Sequence, residues 1–145
     1  GYLSMPKGRK RSIPHRRTRH DHANETAEDY VEAVAETIAD KGECRVVDLA
    51  RHFGVSHVTV SRIVGRLQEA GLLETEPYRP ITLTRTGTRL AASSRKRHEV
   101  VFHFLLSLGV DRDTAAIDSE GIEHHVSSKT LAAMKRHLDK TGFAP

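Results

Sequence analysis

Residues 45–67 read RVVDLARHFGVSHVTVSRIVGRL, and the apolar positions in this stretch fall into two short helical sets. Val46, Leu49, Ala50 and Phe53 share one face of a first helix. Gly54 then supplies a turn in which a positive φ costs little. Ser56 is a good N-cap, and Val60, Ile63, Val64 and Leu67 follow at the i, i+3, i+4, i+7 spacing of a second inward face. A helix, a glycine turn and a second helix with a polar outer side make a helix-turn-helix pattern.

Downstream, Gly71-Leu72-Leu73 ends the second helix, Glu74–Pro77 can extend, Tyr78-Arg79-Pro80 can turn and Ile81–Thr84 alternates as a strand. A two-stranded ribbon placed there is a wing, and Pro80 is tolerated in its turn or edge. Upstream, Asn24 or Thr26 can cap a helix running to about Asp40, with Tyr30, Val34 and Ile38 as its buried stripe and Gly42 as its stop. Beyond the wing, Thr86 can cap a long helix whose Leu90, Val101, Phe104, Leu105 and Leu108 face inward, ending at Gly109. A further helix starts near Asp111 or Asp113 and runs to about Val126. Ser127 or Ser128 caps a last one striped by Leu131, Met134 and Leu138. The chain is mainly α with one small ribbon.

Its 145 residues suit one compact domain or two very small ones, with 37% hydrophobic and 29% charged residues. No apolar run reaches the roughly 20 residues of a membrane span and no signal-peptide core is present, so a cytoplasmic protein is expected. Cys44, the single cysteine, allows neither an intramolecular disulfide nor a thiolate-rich metal site. Residues 1–20 hold 7 of the 23 lysines and arginines and none of the 19 acids, leaving 16 basic against 19 acidic groups in the remainder. Residues 1–23 therefore read as a disordered basic arm that can track polyanions or merely solubilise. Gly1 to Ser4, ahead of Met5, read as an expression scar, and His15, His20 and His22 as scattered solvated histidines.

On the helix beginning at Ser56, the side chains left over from the core are Ser56, His57, Thr59, Arg62 and Arg66. A recognition helix offers its N-terminal residues to base edges and its basic groups to phosphate. His57 and Thr59 are expected at bases, and Ser56, Arg62 and Arg66 at the backbone. Arg79 at the wing tip is a further phosphate contact. The bland reading is an ordinary polar surface helix, because such shapes occur without DNA; the wing and the basic arm favour double-stranded DNA.

Glu120, Glu123 and His124, at i, i+3 and i+4, project from one helix face. Taken alone, the triplet reads equally as a solvated acidic face or as a set of metal ligands. His125 lies off that stripe and is read as structural or exposed. Asp29 and Glu32 share a face of the first helix, and His98 stands on the long helix beside Arg97 and Glu99. Periodicity does not bring these three segments together.

The strings Glu28-Asp29-Tyr30-Val31-Glu32, Lys96-Arg97-His98-Glu99 and Ser119-Glu120-Gly121-Ile122-Glu123-His124-His125 closely resemble those of manganese-responsive regulators of the diphtheria toxin repressor family, the MntR type. The resemblance runs from about Glu25 to Gly142. It implies an N-terminal winged helix-turn-helix domain over residues 24–95, which includes the first metal-ligand helix, followed by an all-helical metal-binding and dimerisation domain over residues 96–145. It further implies a metal site at their junction, with Asp29, Glu32, His98, Glu120, Glu123 and His124 as ligands and room for two neighbouring Mn(II) ions per subunit. Four carboxylates and two imidazoles agree independently, being a hard, oxygen-rich set. The iron-responsive branch is expected to carry Met at position 29 and Cys at position 120, and an extra C-terminal domain for which this chain, ending at Pro145, leaves no room.

The function so implied is a homodimeric, Mn(II)-activated regulator of manganese transport genes, most simply a repressor, acting on a roughly palindromic operator. No small organic ligand is expected. The alternative is a winged-helix regulator answering Fe(II), Zn(II) or a non-metal signal. An enzyme is not expected: di-metal helical-bundle enzymes use Glu-x-x-His pairs on four long helices, whereas Glu120 and His124 are four apart and the winged helix takes half the chain.

Overall fold

The computed structural model describes residues 12–143, with side chains from Ala23 onward. Helix α1 spans Ser12–Lys41, so it starts well before the expected Asn24 or Thr26. The disordered arm is thereby corrected over residues 12–23, where the backbone is helical; residues 1–11 of the arm lie outside the described residues. Pro14 does not prevent the earlier start. It sits in the first turn, where a missing N–H breaks no i→i−4 bond. At the other end, Gly42 takes a φ of 88° and its N–H donates to the Ile38 carbonyl at 2.8 Å, a left-handed stop.

Helices α2 (Val46–Phe53) and α3 (His57–Glu69) form the helix-turn-helix. Asp48 accepts the Arg45 N–H at 2.8 Å and the Lys41 ammonium at 2.6 Å, which ties the start of α2 to the end of α1. Gly54 turns between the helices with φ 66°, and the Ser56 hydroxyl accepts the Thr59 N–H at 3.1 Å as the α3 cap. Strands β1 (Leu73–Glu74) and β2 (Thr82–Leu83) pair antiparallel, Leu73 opposite Leu83. They are shorter than the alternation suggested, but Ile81 extends the ribbon by bridging to Cys44, its N–H donating to the Cys44 carbonyl at 2.7 Å. The wing thus anchors to the loop ahead of α2.

Helix α4 (Arg85–Ser107) is capped by Thr84 rather than by the expected Thr86. The Thr84 hydroxyl accepts the Gly87 N–H at 3.0 Å and donates to the Gly71 carbonyl at 2.6 Å. The second bond fixes the cap at Thr84, since it closes the base of the wing. Gly87 follows for a steric reason: a Cβ there would stand 2.0 Å from the Leu72 carbonyl oxygen. Helices α5 (Arg112–Ile122) and α6 (Ser128–Thr141) complete the chain, capped by Asp111 and Ser127.

Two cores result. The larger buries Tyr30, Val31, Val34, Leu49, Val60, Val64, Leu73 and Ile81 among α1, α2, α3 and the wing, and draws Ala91 from α4. The smaller buries Val101, Ala115 and Leu138 between α4, α5 and α6. Helix α4 belongs to both, packing along α1 with one half and on α5 and α6 with the other. Leu108, expected inward, is instead 59% exposed because α4 ends at Ser107 and turns through Gly109 at φ 92°. With Ile117 and Phe143, also exposed, it leaves apolar side chains uncovered on all three terminal helical segments. No helix among the described residues is long and apolar enough to cross a membrane.

Candidate metal centre and nucleic-acid interface

The acids of α1 recur at helical spacing, Glu25, Asp29, Glu32 and Glu36, and so line the side of the helix that faces α4 and α5. With His98 of α4 and Glu120 and Glu123 from the end of α5, they wall a cavity of about 580 Å³. The structure therefore brings the three segments together. Five of the six expected ligands line the cavity, and His124 closes it against α1.

Glu123 is buried at 3% exposure, and the His124 side chain is 1% exposed. Glu120 remains exposed. Helix α5 ends at Ile122 and its last turn tightens, the His125 N–H reaching the Ile122 carbonyl at 3.0 Å; Glu123 and His124 turn inward while Glu120 stays at the mouth. His98 Nδ1 lies 3.2 Å from Glu123 Oε2, and His124 Nε2 lies 2.9 Å from Asp29 Oδ1 and 3.4 Å from Glu123 Oε1. These approaches are off the hydrogen-bonding direction: Glu123 Oε2 and His124 Nε2 are buried with no hydrogen-bond partner. Such orphaned donor atoms are costly in a protein interior unless something electropositive meets them.

The donor atoms fall into two overlapping groups, Glu25 with Asp29 and His124, and Asp29 with Glu32 and Glu123, each within 4.8 Å. Asp29 is common to both. Glu32 also accepts the Ser94 hydroxyl at 3.0 Å. The titration behaviour follows from this crowding. Burial and the neighbouring Glu123 carboxylate push Glu32 up. The contact with Glu123 raises His98 against its burial. For His124, burial works downward, but Asp29 and Glu28 overcome it and push the imidazole up to about 10. The site is short of positive charge, and a hard divalent cation fits its oxygen-rich donor set.

Two features escaped the sequence reading. Glu28 accepts from His124 Nδ1 at 2.7 Å and is also ion-paired with Arg97. Glu25 meets His125 Nε2 at 3.2 Å, so His125 is a partner of α1. The signal for Glu25 was present in its i, i+4 spacing to Asp29. Nothing local marks Glu28, whose partners are 69 and 96 residues away.

In the winged helix, His57, Arg62 and Arg66 are exposed along α3, Thr59 is half-buried and Arg79 stands exposed in the wing turn, 3.6 Å from Glu76. Ser56 is exposed but its hydroxyl is engaged, accepting the Thr59 N–H and lying 3.0 Å from the Thr59 hydroxyl. A cleft between α3 and the wing is lined by His57, Gln68, Thr75, Tyr78 and Arg79. Tyr78, at φ 65°, is 98% exposed.

A winged helix joined through an acid- and histidine-lined junction to a helical domain defines a DNA-binding protein of the metal-dependent regulator class. Residues 22–81 match the iron dependent repressor N-terminal DNA-binding domain, and residues 84–145 match the metal-binding and dimerisation domain of the same repressors. The chain belongs to the iron-dependent repressor family, a family of transcriptional regulators and not of enzymes. It is 45% identical over 127 residues to the transcriptional regulator MntR of Escherichia coli, covering 88% of this chain and 82% of that one. It is 38% identical over 104 residues to the regulator MntR of Bacillus subtilis, covering 72% and 73%. Among solved structures, a manganese-dependent transcriptional repressor in complex with manganese superposes with a TM-score of 0.68 at 30% identity, over 81% of this chain. This chain spans about half, 53%, of that structure's length.

Proposed function

We propose that this protein is a manganese-dependent, homodimeric transcriptional repressor of manganese transport genes, acting in the cytoplasm on a roughly palindromic operator. The observation that carries the reading is the convergence of the buried Glu123 and His124 side chains on Asp29 and Glu32 across the junction of the two cores, with Glu123 Oε2 and His124 Nε2 in charge contacts but without a directed hydrogen bond. Asp29, Glu32, His98, Glu120, Glu123 and His124 would hold the cation, with Asp29 shared where two ions bind. Glu25 lies within reach of the same site. A bound divalent cation supplies the positive charge that these groups lack.

Without it, the carboxylates of α1 and α5 face one another across the cavity and repel. Ligation draws α1 toward the end of α5, and α1 carries the helix-turn-helix through the larger core. Ser56, His57, Thr59, Arg62 and Arg66 of the recognition segment and Arg79 of the wing are the residues we assign to DNA, the first positions of the helix to base edges and the basic groups to phosphate. Leu108, Ile117 and Phe143, exposed on the last three helical segments, support an isologous dimer there. Fixing both recognition helices relative to the dimer axis makes metal and DNA strengthen each other's binding, by about 5- to 150-fold for a typical coupling of 1–3 kcal/mol.

Manganese lies at the weak end of the divalent series, so selectivity of the response rests on coordination number and geometry rather than on affinity. DNA capture by chelator-stripped protein, with and without Mn(II) and with Zn(II) and anaerobic Fe(II) as rivals, tests the reading. Enrichment of an operator only with Mn(II), lost in Glu123→Ala or His124→Ala dimers that stay folded, is the expected result. Enrichment indifferent to metal would overturn it. A response confined to Zn(II) or Fe(II) would reassign the metal.

A further inference from the structure

We infer that Glu28, anchored by Arg97, is a positioning residue that fixes the ring of His124 with Nδ1 turned to Glu28 and Nε2 turned to Asp29 and Glu123. The inference rests on the metal-centre reading above and adds two residues that the ligand set does not contain.

The geometry is one-sided. The His124 ring is walled in, its side chain 1% exposed, and each nitrogen faces a different carboxylate. Nδ1 lies 2.7 Å from Glu28 Oε2 in a hydrogen bond. Nε2 lies beside Asp29 and Glu123 and has no hydrogen bond. A neutral imidazole carries one N–H, and the nitrogen that donates it cannot ligate. In the neutral ring that ligation requires, Glu28, which when ionised can only accept, would hold the single proton on Nδ1 and leave the lone pair on Nε2 for a cation.

Glu28 is itself held. Its Oε2 is ion-paired with the Arg97 guanidinium, and the side chains of both are largely buried, 12% and 23% exposed. Arg97 immediately precedes His98 on α4, so successive residues of that helix serve the site differently: His98 faces Glu123 at 3.2 Å, and Arg97 grips the carboxylate behind His124. A carboxylate that receives the N–H on the non-ligating nitrogen of a metal-bound imidazole fixes tautomer and ring orientation, and its loss typically costs 10- to 100-fold in metal affinity.

The test uses the full-length dimer with Zn(II), which is diamagnetic, and with Mn(II). Long-range nitrogen–proton spectra of the Zn(II)-loaded protein should show His124 protonated on Nδ1, with Nε2 bearing the metal shift. Glu28→Gln should weaken Mn(II) binding roughly 10- to 100-fold and scramble that signature. Glu36→Gln removes the same charge from the same helix, at a position that does not touch His124, and should leave both nearly unchanged. Arg97→Lys, a milder change that keeps the charge but loses the planar fork, should fall between them. Wild-type affinity and an unchanged His124 signature in Glu28→Gln would overturn the inference, as would an equal loss in Glu36→Gln, which would reduce the effect to charge. If the wild-type protein itself binds neither metal, the metal-centre reading fails, and this inference with it.

Discussion

The Tyr30 ring lies flat on the Phe53 ring, centroids 4.3 Å apart and planes 10° from parallel. Tyr30 is the neighbour of Asp29 on α1, and Phe53 is the last residue of α2, one residue before the turn into the recognition helix. A displacement of α1 at the metal centre is therefore delivered to the helix-turn-helix through one stacked pair as well as through the shared core. Burial also raises the Tyr30 hydroxyl above the ordinary tyrosine range.

Phe53→Ala should lower stability by about 3 kcal/mol, at the low end for a large aromatic because Phe53 is only half-buried. Its more informative effect is on coupling. Mn(II) affinity should stay close to wild type while the metal-induced gain in DNA affinity shrinks, measured by titrating DNA at zero and saturating Mn(II). A full gain in the variant would show that the stack transmits nothing.

Gly87→Ala should destabilise the fold by about 1–3 kcal/mol, the usual cost of overpacking, because the new methyl would meet the Leu72 carbonyl at 2.0 Å. Gly65→Ala is the matched control. Its Cβ would meet nothing within 4 Å, and a helix-interior alanine gains about 0.5–1 kcal/mol over glycine. Urea denaturation of the two variants should give opposite signs.

Asp48 titrates below the usual carboxylate range because it accepts the Lys41 ammonium and the Arg45 N–H. A carboxylate with a depressed folded-state pKa contributes stability above its unfolded value, about 3.9, and that contribution is lost as pH falls through the folded value. Melting temperatures measured from pH 6 down to pH 2.5 should therefore show an acid-side loss in the wild type that is smaller in Asp48→Asn. Parallel curves would remove the α1–α2 tie as its cause.

Cys44 is fully buried, and burial together with the Asp48 carboxylate pushes its thiol up to about 11. Thiolate is the reactive form, so alkylating reagents at pH 8 should modify the native protein far more slowly than the urea-unfolded chain. Equal rates, followed by mass spectrometry, would mean that the loop ahead of α2 opens readily and that its bridge to the wing at Ile81 is weak.

The helix-turn-helix was legible because its determinants are local. Gly54 sets the turn, Ser56 caps within three residues, and the apolar spacing of α3 needs no distant partner. Thr84 shows the opposite case. Thr86 is an equally good cap by residue type, and only the bond from Thr84 to Gly71, across the wing, decides between them. The metal centre divides in the same way. Asp29, Glu32, His98, Glu120, Glu123 and His124 were named through a resemblance, which stood in for the packing that periodicity could not supply. Glu28 and Arg97 carry no local pattern, since their roles exist only where α1, α4 and the end of α5 meet. The early start of α1 was hidden by charge and proline, which mark an unordered segment unless the proline falls in the first turn.

Helix α4 runs unbroken from Gly87, pressed against the base of the wing, to Val101 in the smaller core. The two halves of the molecule are thus keyed by rotation about a single axis. Adding one residue near Ala92 would turn everything beyond it by about 100° and advance it 1.5 Å, carrying His98 off the face it shares with α1 while leaving each core intact by itself. Adding seven would bring the face back to within about 20° but displace it by two turns. Any recombination of reader and sensor halves within this family must therefore preserve the length of this helix between its two cores, even where its exposed side chains are free to vary.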